Sequence, residues 1–217
     1  MAGCPRSAEV RNPFFARLLV WMRRREPPEQ VEHRRELLAG LTGRVLDVGA
    51  GDGANFRHFP PAVTEVIAIE PEPYLRERAE RHAKDAAVPM RVIDAVADDL
   101  PFEDGSFDTA VVCLVLCSVP DQAAALRELH RVVRPGGELR FYEHVVARNR
   151  RLARVQRFVD RSGVWPLVAG GCHPARDTTR AIAAAGFEVT RIRGMAVAPC
   201  PILLPAAPHV LGTARRP

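Results

Sequence analysis

The chain has 217 residues, 47% of them hydrophobic, and a formal net charge of +5. That size gives one domain with room for a core, and the composition excludes a disordered chain. The longest apolar runs, such as Val111 to Leu116, are strand-length, well short of the ~20 residues a membrane span needs.

Residues 8 to 41 read as helical. Phe14, Phe15, Leu18, Leu19 and Met22 recur at helical spacing, broken by Pro27-Pro28. A second helix is expected over Val31 to Leu41, stopping at Gly43. From Arg44 apolar strands alternate with helices. The expected strands are Val45–Val48, Glu65–Ile69, Met90–Ile93, Thr109–Leu114, Glu138–Tyr142, Phe187–Ile192 and one near His209–Thr213. A helix is expected to start near Asn55, with others at Tyr74–Ala86, Gln122–Val133, about Arg148–Ser162 and Ala175–Ala185. The order predicts an α/β, Rossmann-like, doubly wound sheet of seven mostly parallel strands. A terminal antiparallel hairpin closes it. Residues 1–43 are expected to form a helical lid and residues 44–217 the main domain. The first helix, apolar on one side and basic at its end, could instead touch a membrane surface.

The chemistry begins at Val45-Leu46-Asp47-Val48-Gly49-Ala50-Gly51-Asp52-Gly53. A buried strand runs into a glycine-rich turn, and the next strand ends at Glu70. Glycine lets the backbone approach a ligand without a Cβ in the way. A carboxylate after the second strand is placed to accept hydrogen bonds from a ribose diol. Two nucleoside cofactors compete for such a turn. Gly49, Gly51 and Ala54 satisfy the dinucleotide pattern G-x-G-x-x-G/A. Asp47, two positions before the first glycine, with Gly49, Gly51 and Gly53, satisfies the acidic G-x-G-x-G pattern of S-adenosylmethionine (SAM) sites. A carboxylate there suits the cationic amino-acid end of SAM and sits badly beside a pyrophosphate, so SAM is the expected cofactor.

The cations are almost all arginine, Lys84 being the single lysine, and they concentrate at Arg23-Arg24-Arg25 and from Arg140 onward. No aromatic-interleaved basic motif accompanies them. A solvated basic face is expected, not a nucleic-acid partner. Met1 to Ser7 lacks a signal-peptide layout, so a cytoplasmic protein is expected. Cys4, Cys113, Cys117, Cys172 and Cys200 form no C-x-x-C pair. They read as reduced core thiols, and no metal is expected. Nothing in the sequence indicates an oligomeric state.

Four motifs in order resemble class I SAM-dependent methyltransferases. Besides the glycine turn they are Ala97-Asp98-Asp99-Leu100-Pro101-Phe102, Ser106-Phe107-Asp108 and Leu129-His130-Arg131-Val132-Val133-Arg134-Pro135-Gly136-Gly137. Gly53-Ala54-Asn55-Phe56, Phe59-Pro60-Pro61, Leu114-Val115-Leu116-Cys117-Ser118-Val119, Tyr142-Glu143-His144-Val145 and Gly171-Cys172 with Arg176 resemble the methyltransferase-like 7 family. Its animal members are thiol S-methyltransferases that begin with a hydrophobic anchor, for which Phe14 to Met22 is too short. The resemblance implies a small-molecule acceptor, a thiol before a hydroxyl, amine or carbon centre. A SAM-binding module without activity is the non-enzymatic alternative, and an NAD-dependent oxidoreductase the other enzymatic one. The resemblance also implies that Ala97 and Asp98 meet the adenine. Cys113 and Leu114 face the methionine portion, and Ala50, Asn55 and Pro71 complete the cofactor contacts. His144, after the fifth strand, is the candidate base or acceptor-orienting group; His173, beside Cys172, is a weaker one.

Overall fold

The computed structural model describes residues 11–197 and 201–217. The expected helix start at residue 8, Cys4 and Cys200 lie outside the described residues. Seven strands form one sheet in the order β3-β2-β1-β4-β5-β7-β6. They are β1 (Gly43–Val48), β2 (Val63–Ile69), β3 (Met90–Ile93), β4 (Phe107–Cys113), β5 (Val133–His144), β6 (Glu188–Ala196) and β7 (Pro208–Arg215). The pairs among β1 to β5 are parallel, and β7 runs antiparallel to both β5 and β6. The fold is Rossmann-like, with the expected closing hairpin.

The central strands are apolar on both faces because both faces are covered. Leu46, Val48, Ala110 and Val112 join Leu126, Leu129 and Ile182 in one core. Those helical residues belong to α4 (Gln122–Val132) and α7 (Thr178–Ala184). The alternate residues Val45 and Val111 point the other way. They meet Leu37, Leu38 and Ala79 from α2 (Pro28–Leu38) and α3 (Pro73–Ala83). α1 (Pro13–Arg23) rests on α3 through Ala16, Val20 and Leu75. α5 (Arg150–Arg161) and the short α6 (Val164–Val168) follow β5. No helix among the described residues is long and apolar enough to cross a membrane.

Several boundaries differ from the sequence expectation for local reasons. The helix expected near Asn55 is only a 3-10 turn, Phe56–His58. Phe59 is extended, as a residue before proline must be, and Pro60 stops the turn. α2 starts at Pro28, where proline suits a first helical position, and ends at Leu38 because Ala39 is extended. The last helix starts at Thr178, not Ala175, because the Asp177 side chain accepts from the Arg180 N–H and caps it there.

Candidate functional site

At the carboxyl edge of the sheet lies a cavity of about 590 Å³. Open parallel sheets place ligand sites at this edge, where the strand order reverses. Here that reversal lies between β1 and β4. The expected residues Gly49, Gly51, Glu70, Pro71, Ala97, Asp98, Cys113, Leu114 and His144 all line the cavity. Asp47, Ala50, Gly53 and Asn55 are buried and support it from outside its lining.

The glycine turn is left-handed at Gly49, Gly51 and Gly53, with φ of 64°, 60° and 86°. Gly51 does more than turn. A Cβ there would face the cavity and meet only Leu19 of α1, at 4.0 Å. At Gly53 a Cβ would press within 2.8 Å of the Phe56 ring, so that glycine serves packing. Glu70 locks the turn to β2. One carboxylate oxygen accepts from the Gly51 N–H at 2.8 Å, the other from the Glu72 N–H at 2.9 Å. Burial nevertheless raises its pKa to about 7, against the pull of those two N–H groups. Asp47 is fully buried. Its Oδ1 accepts from Asn55 Nδ2 at 3.0 Å, and its Oδ2 has no partner among the described residues. Burial raises this pKa also to about 7, opposed by Asn55, Arg34 and Arg23. A buried, half-satisfied carboxylate beside an open glycine cradle suits a ligand carrying a cation, as the amino-acid end of SAM does.

Behind this end runs a buried polar network that the motif reading missed. Arg34 of α2 donates to Glu26 at 3.0 Å, to Asn55 Oδ1 at 2.9 Å and to Cys113 Sγ at 2.9 Å. Glu26 also takes Arg23 at 2.8 Å. The arginine ties both N-terminal helices to the glycine turn. Its signal was present in the sequence: Arg34 stands three and four residues before Leu37 and Leu38, on the buried stripe of the helix.

The other end of the cavity is organised by Glu143, which is fully buried. Its carboxylate accepts three successive N–H groups, from Val115 (2.8 Å), Leu116 (3.0 Å) and Cys117 (3.1 Å). Burial raises the Glu143 pKa while those N–H groups lower it. The loop so held begins at Leu114, whose φ of 62° is left-handed in a residue with a Cβ. That conformation costs roughly 1–2 kcal/mol. Cys117 carries His144 Nδ1 at 3.3 Å from its sulfur, and Cys172 holds the same nitrogen at 3.5 Å. Its closeness to Cys172, together with burial, pushes the Cys117 thiol up; Cys172, beside Cys117 and facing His144, is pulled down.

His209, also missed, lies beside His144 with ring centroids 4.5 Å apart and the rings tilted by 52°. Its Nδ1 donates to the Ala207 carbonyl at 2.7 Å. Nε2 therefore presents a lone pair, buried and without a partner among the described residues. Burial, with His144 nearby, lowers the His209 pKa to about 3. The residue reaches the site because β7 pairs with β5 so that His209 lies opposite His144. No single segment shows that register. His173 does not line the cavity; its Nδ1 meets Asp160 Oδ1 at 2.6 Å instead.

α1 roofs the cavity. Phe15, Ala16, Leu19 and Met22 line it, and the Asn12 N–H donates to Glu72 at 3.0 Å. Phe15 packs so closely on the Gly170 turn that a Cβ there would lie 2.3 Å from its ring.

Comparison with known proteins agrees with this geometry. A sequence profile described as a methyltransferase domain matches residues 46–141. Human thiol S-methyltransferase TMT1B is 32% identical over 217 residues, spanning 93% of this chain and 85% of that protein. Human thiol S-methyltransferase TMT1A is 36% identical over 165 residues, 71% of this chain and 65% of that one. The crystal structure of N-methyltransferase NodS from Bradyrhizobium japonicum superposes with a TM-score of 0.68 at 18% identity, covering 88% of this chain and 89% of that chain. The last likeness is one of fold.

Proposed function

The chain belongs to the class I SAM-dependent methyltransferases, in the family of the thiol S-methyltransferases TMT1A and TMT1B, and from that premise we propose that it methylates a small, apolar thiol. The carrying observation is the single cavity that joins the Gly51 and Glu70 end to the His144 and Cys172 end. When bound, SAM supplies a methyl group already activated by its sulfonium charge.

The chain's own residues then have three tasks. Glu70 accepts from the ribose hydroxyls, and Asp47 with the Gly49–Gly53 turn holds the amino-acid end. Ala97 and Asp98 meet the adenine, while Cys113 and Leu114 face the methionine portion. The N-terminal helices α1 and α2 act as a lid that excludes water and fixes the acceptor. Alignment of acceptor and methyl carbon can itself lower the barrier by several kcal/mol, up to roughly 7–11 in the best intramolecular cases. A free thiol has a pKa of ~8.5 and is partly ionised at neutral pH, so the site needs little base strength.

Methylation of oxygen, nitrogen or carbon is the alternative. The free lone pair of His209 Nε2 favours it, since a hydroxyl must lose its proton. A pKa of about 3 makes that nitrogen a weak base, which argues for the more acidic thiol. The test is incubation with methyl-labelled SAM and a panel of alkanethiols, phenols, amines and quinones. The reading requires labelled thioether from the thiols. Label in phenols or quinones with none in any thiol refutes it.

A further inference from the structure

We propose that Cys117, His144 and Cys172 bind a thiophilic divalent cation, with zinc the best match, and that the acceptor thiol completes its coordination from the cavity. The three donor atoms all lie within 4.8 Å of one another, Nδ1 being 3.3 and 3.5 Å from the two sulfurs. With Zn–S near 2.3 Å and Zn–N near 2.0–2.1 Å, the corners of a tetrahedral site stand roughly 3.4–3.8 Å apart. The two nitrogen–sulfur spacings fit within a few tenths of an ångström, and the two sulfurs, at most 4.8 Å apart, need to close by no more than about 1 Å. Two thiolates and an imidazole select zinc over magnesium or calcium. Two cysteines, one histidine and an open fourth position form one of the donor sets of catalytic zinc.

The cluster is built and not incidental. Cys117 is fixed by its N–H on Glu143, and its carbonyl takes the His173 N–H at 2.7 Å. Cys172 follows two left-handed glycines, Gly170 and Gly171. A Cβ on Gly171 would lie 2.8 Å from the Ser118 carbonyl, so only glycine brings this turn against the Cys117 loop. His144 is aligned by its pairing with His209 across the sheet. Cys117 and Cys172 are buried, while His144 and Cys172 open on the cavity. The vacant corner therefore faces the space that also reaches the glycine turn.

The role of the fourth ligand rests on the thiol reading; the cation site does not. A thiol that coordinates the cation loses its proton to solvent. Its sulfur takes the methyl group as the sulfonium C–S bond breaks, leaving S-adenosylhomocysteine and a neutral thioether. The cation changes no oxidation state, and the thioether, a weak ligand, departs.

The experiment uses cobalt(II) as a spectroscopic probe on the full, reduced, metal-stripped chain without oxygen. One equivalent should bind with thiolate-to-cobalt charge-transfer absorption and tetrahedral visible bands. Cys117→Ser and Cys172→Ser should each weaken binding by more than the roughly 10–100-fold seen for loss of an outer-shell partner. His173→Ala should bind as the parent does. An alkanethiol should alter the visible bands. Absence of charge-transfer absorption in the folded parent, or a double Cys117→Ser, Cys172→Ser variant that keeps it, overturns the site. Full thiol turnover by metal-free protein overturns the acceptor thiol's coordination to the cation and leaves the thiol reading standing. A cobalt site in a protein that methylates only phenols keeps the cation site and refutes that reading.

Discussion

At the donor end of the cavity, the Gly51 N–H meets Glu70 across one strand–turn–strand unit, nineteen residues along the chain. At the acceptor end, Cys117, His144, Cys172 and His209 arrive from four separate segments. The first end is local geometry that any chain of this pattern reproduces. The second exists only once the sheet has closed, β7 has paired with β5 and the Gly170-Gly171 turn has docked. Substitutions at the two ends should therefore separate cleanly: donor-end changes move SAM binding, acceptor-end changes move turnover.

Gly51→Val should have the largest effect. It combines a left-handed φ, costing about 1–2 kcal/mol for a residue with a Cβ, with a branched side chain in the cavity. We expect no SAM binding by calorimetry and an unchanged circular dichroism spectrum. Parental affinity would put the cofactor elsewhere. Glu70→Ala should come next. Each charge-assisted hydrogen bond it makes is worth roughly 1.5–3 kcal/mol, so the SAM dissociation constant should rise about 10- to 150-fold. Melting temperature should fall as well, because Gly51 and Glu72 lose their acceptor.

The separation can be sharpened at His144. Its replacement by Ala should leave SAM affinity unchanged and slow thiol turnover by less than the ~10²–10⁴-fold typical of a lost general base. Loss of SAM affinity in this variant would mean that the two ends are coupled. A pH experiment probes the donor end alone. Asp47 and Glu70 have folded-state pKa values of about 7, above the ordinary 3.8 and 4.5. The cofactor-free fold therefore holds their protons more tightly than the unfolded chain. Their stabilisation is complete below about pH 4 and is lost as pH rises through about 7. SAM, being cationic and a hydroxyl donor, favours the ionised forms, so binding at pH 6 should release protons. Asp47→Asn should flatten the melting-temperature profile between pH 4 and 7 and weaken SAM. An unaltered slope would show that Asp47 is ionised throughout. The smallest effect is expected at the roof, where Leu19→Ala should raise KM severalfold with little change in kcat, as measured by initial rates.

The same contrast explains what could be read from the chain before folding. Asp47, Gly51, Glu70 and the strand cores are legible because β1, β2 and β4 are short apolar runs separated by turn residues. Arg34 was legible in principle from its place beside Leu37 and Leu38, but a charged residue in a charged helix carries no motif. The Cys117, His144 and Cys172 cluster was not legible, since the cysteines stand 55 positions apart and nothing local sets their approach. His209 depends on the register of a strand with polar and apolar residues mixed, so its partner could not be chosen. The 3-10 turn at Phe56–His58 replaced a helix through the restriction that Pro60 places on Phe59, a rule that the sequence did contain.

The most direct test of one cavity with two ends is a crystal structure of the protein with S-adenosylhomocysteine and a small alkanethiol. The account predicts the ribose on Glu70, the adenine by Asp98 and the homocysteine along the Gly49–Gly53 turn. The alkanethiol sulfur should lie at the His144 and Cys172 end, in line with the homocysteine sulfur. Adenine at the His144 end, or a thiol bound outside the cavity, would contradict it.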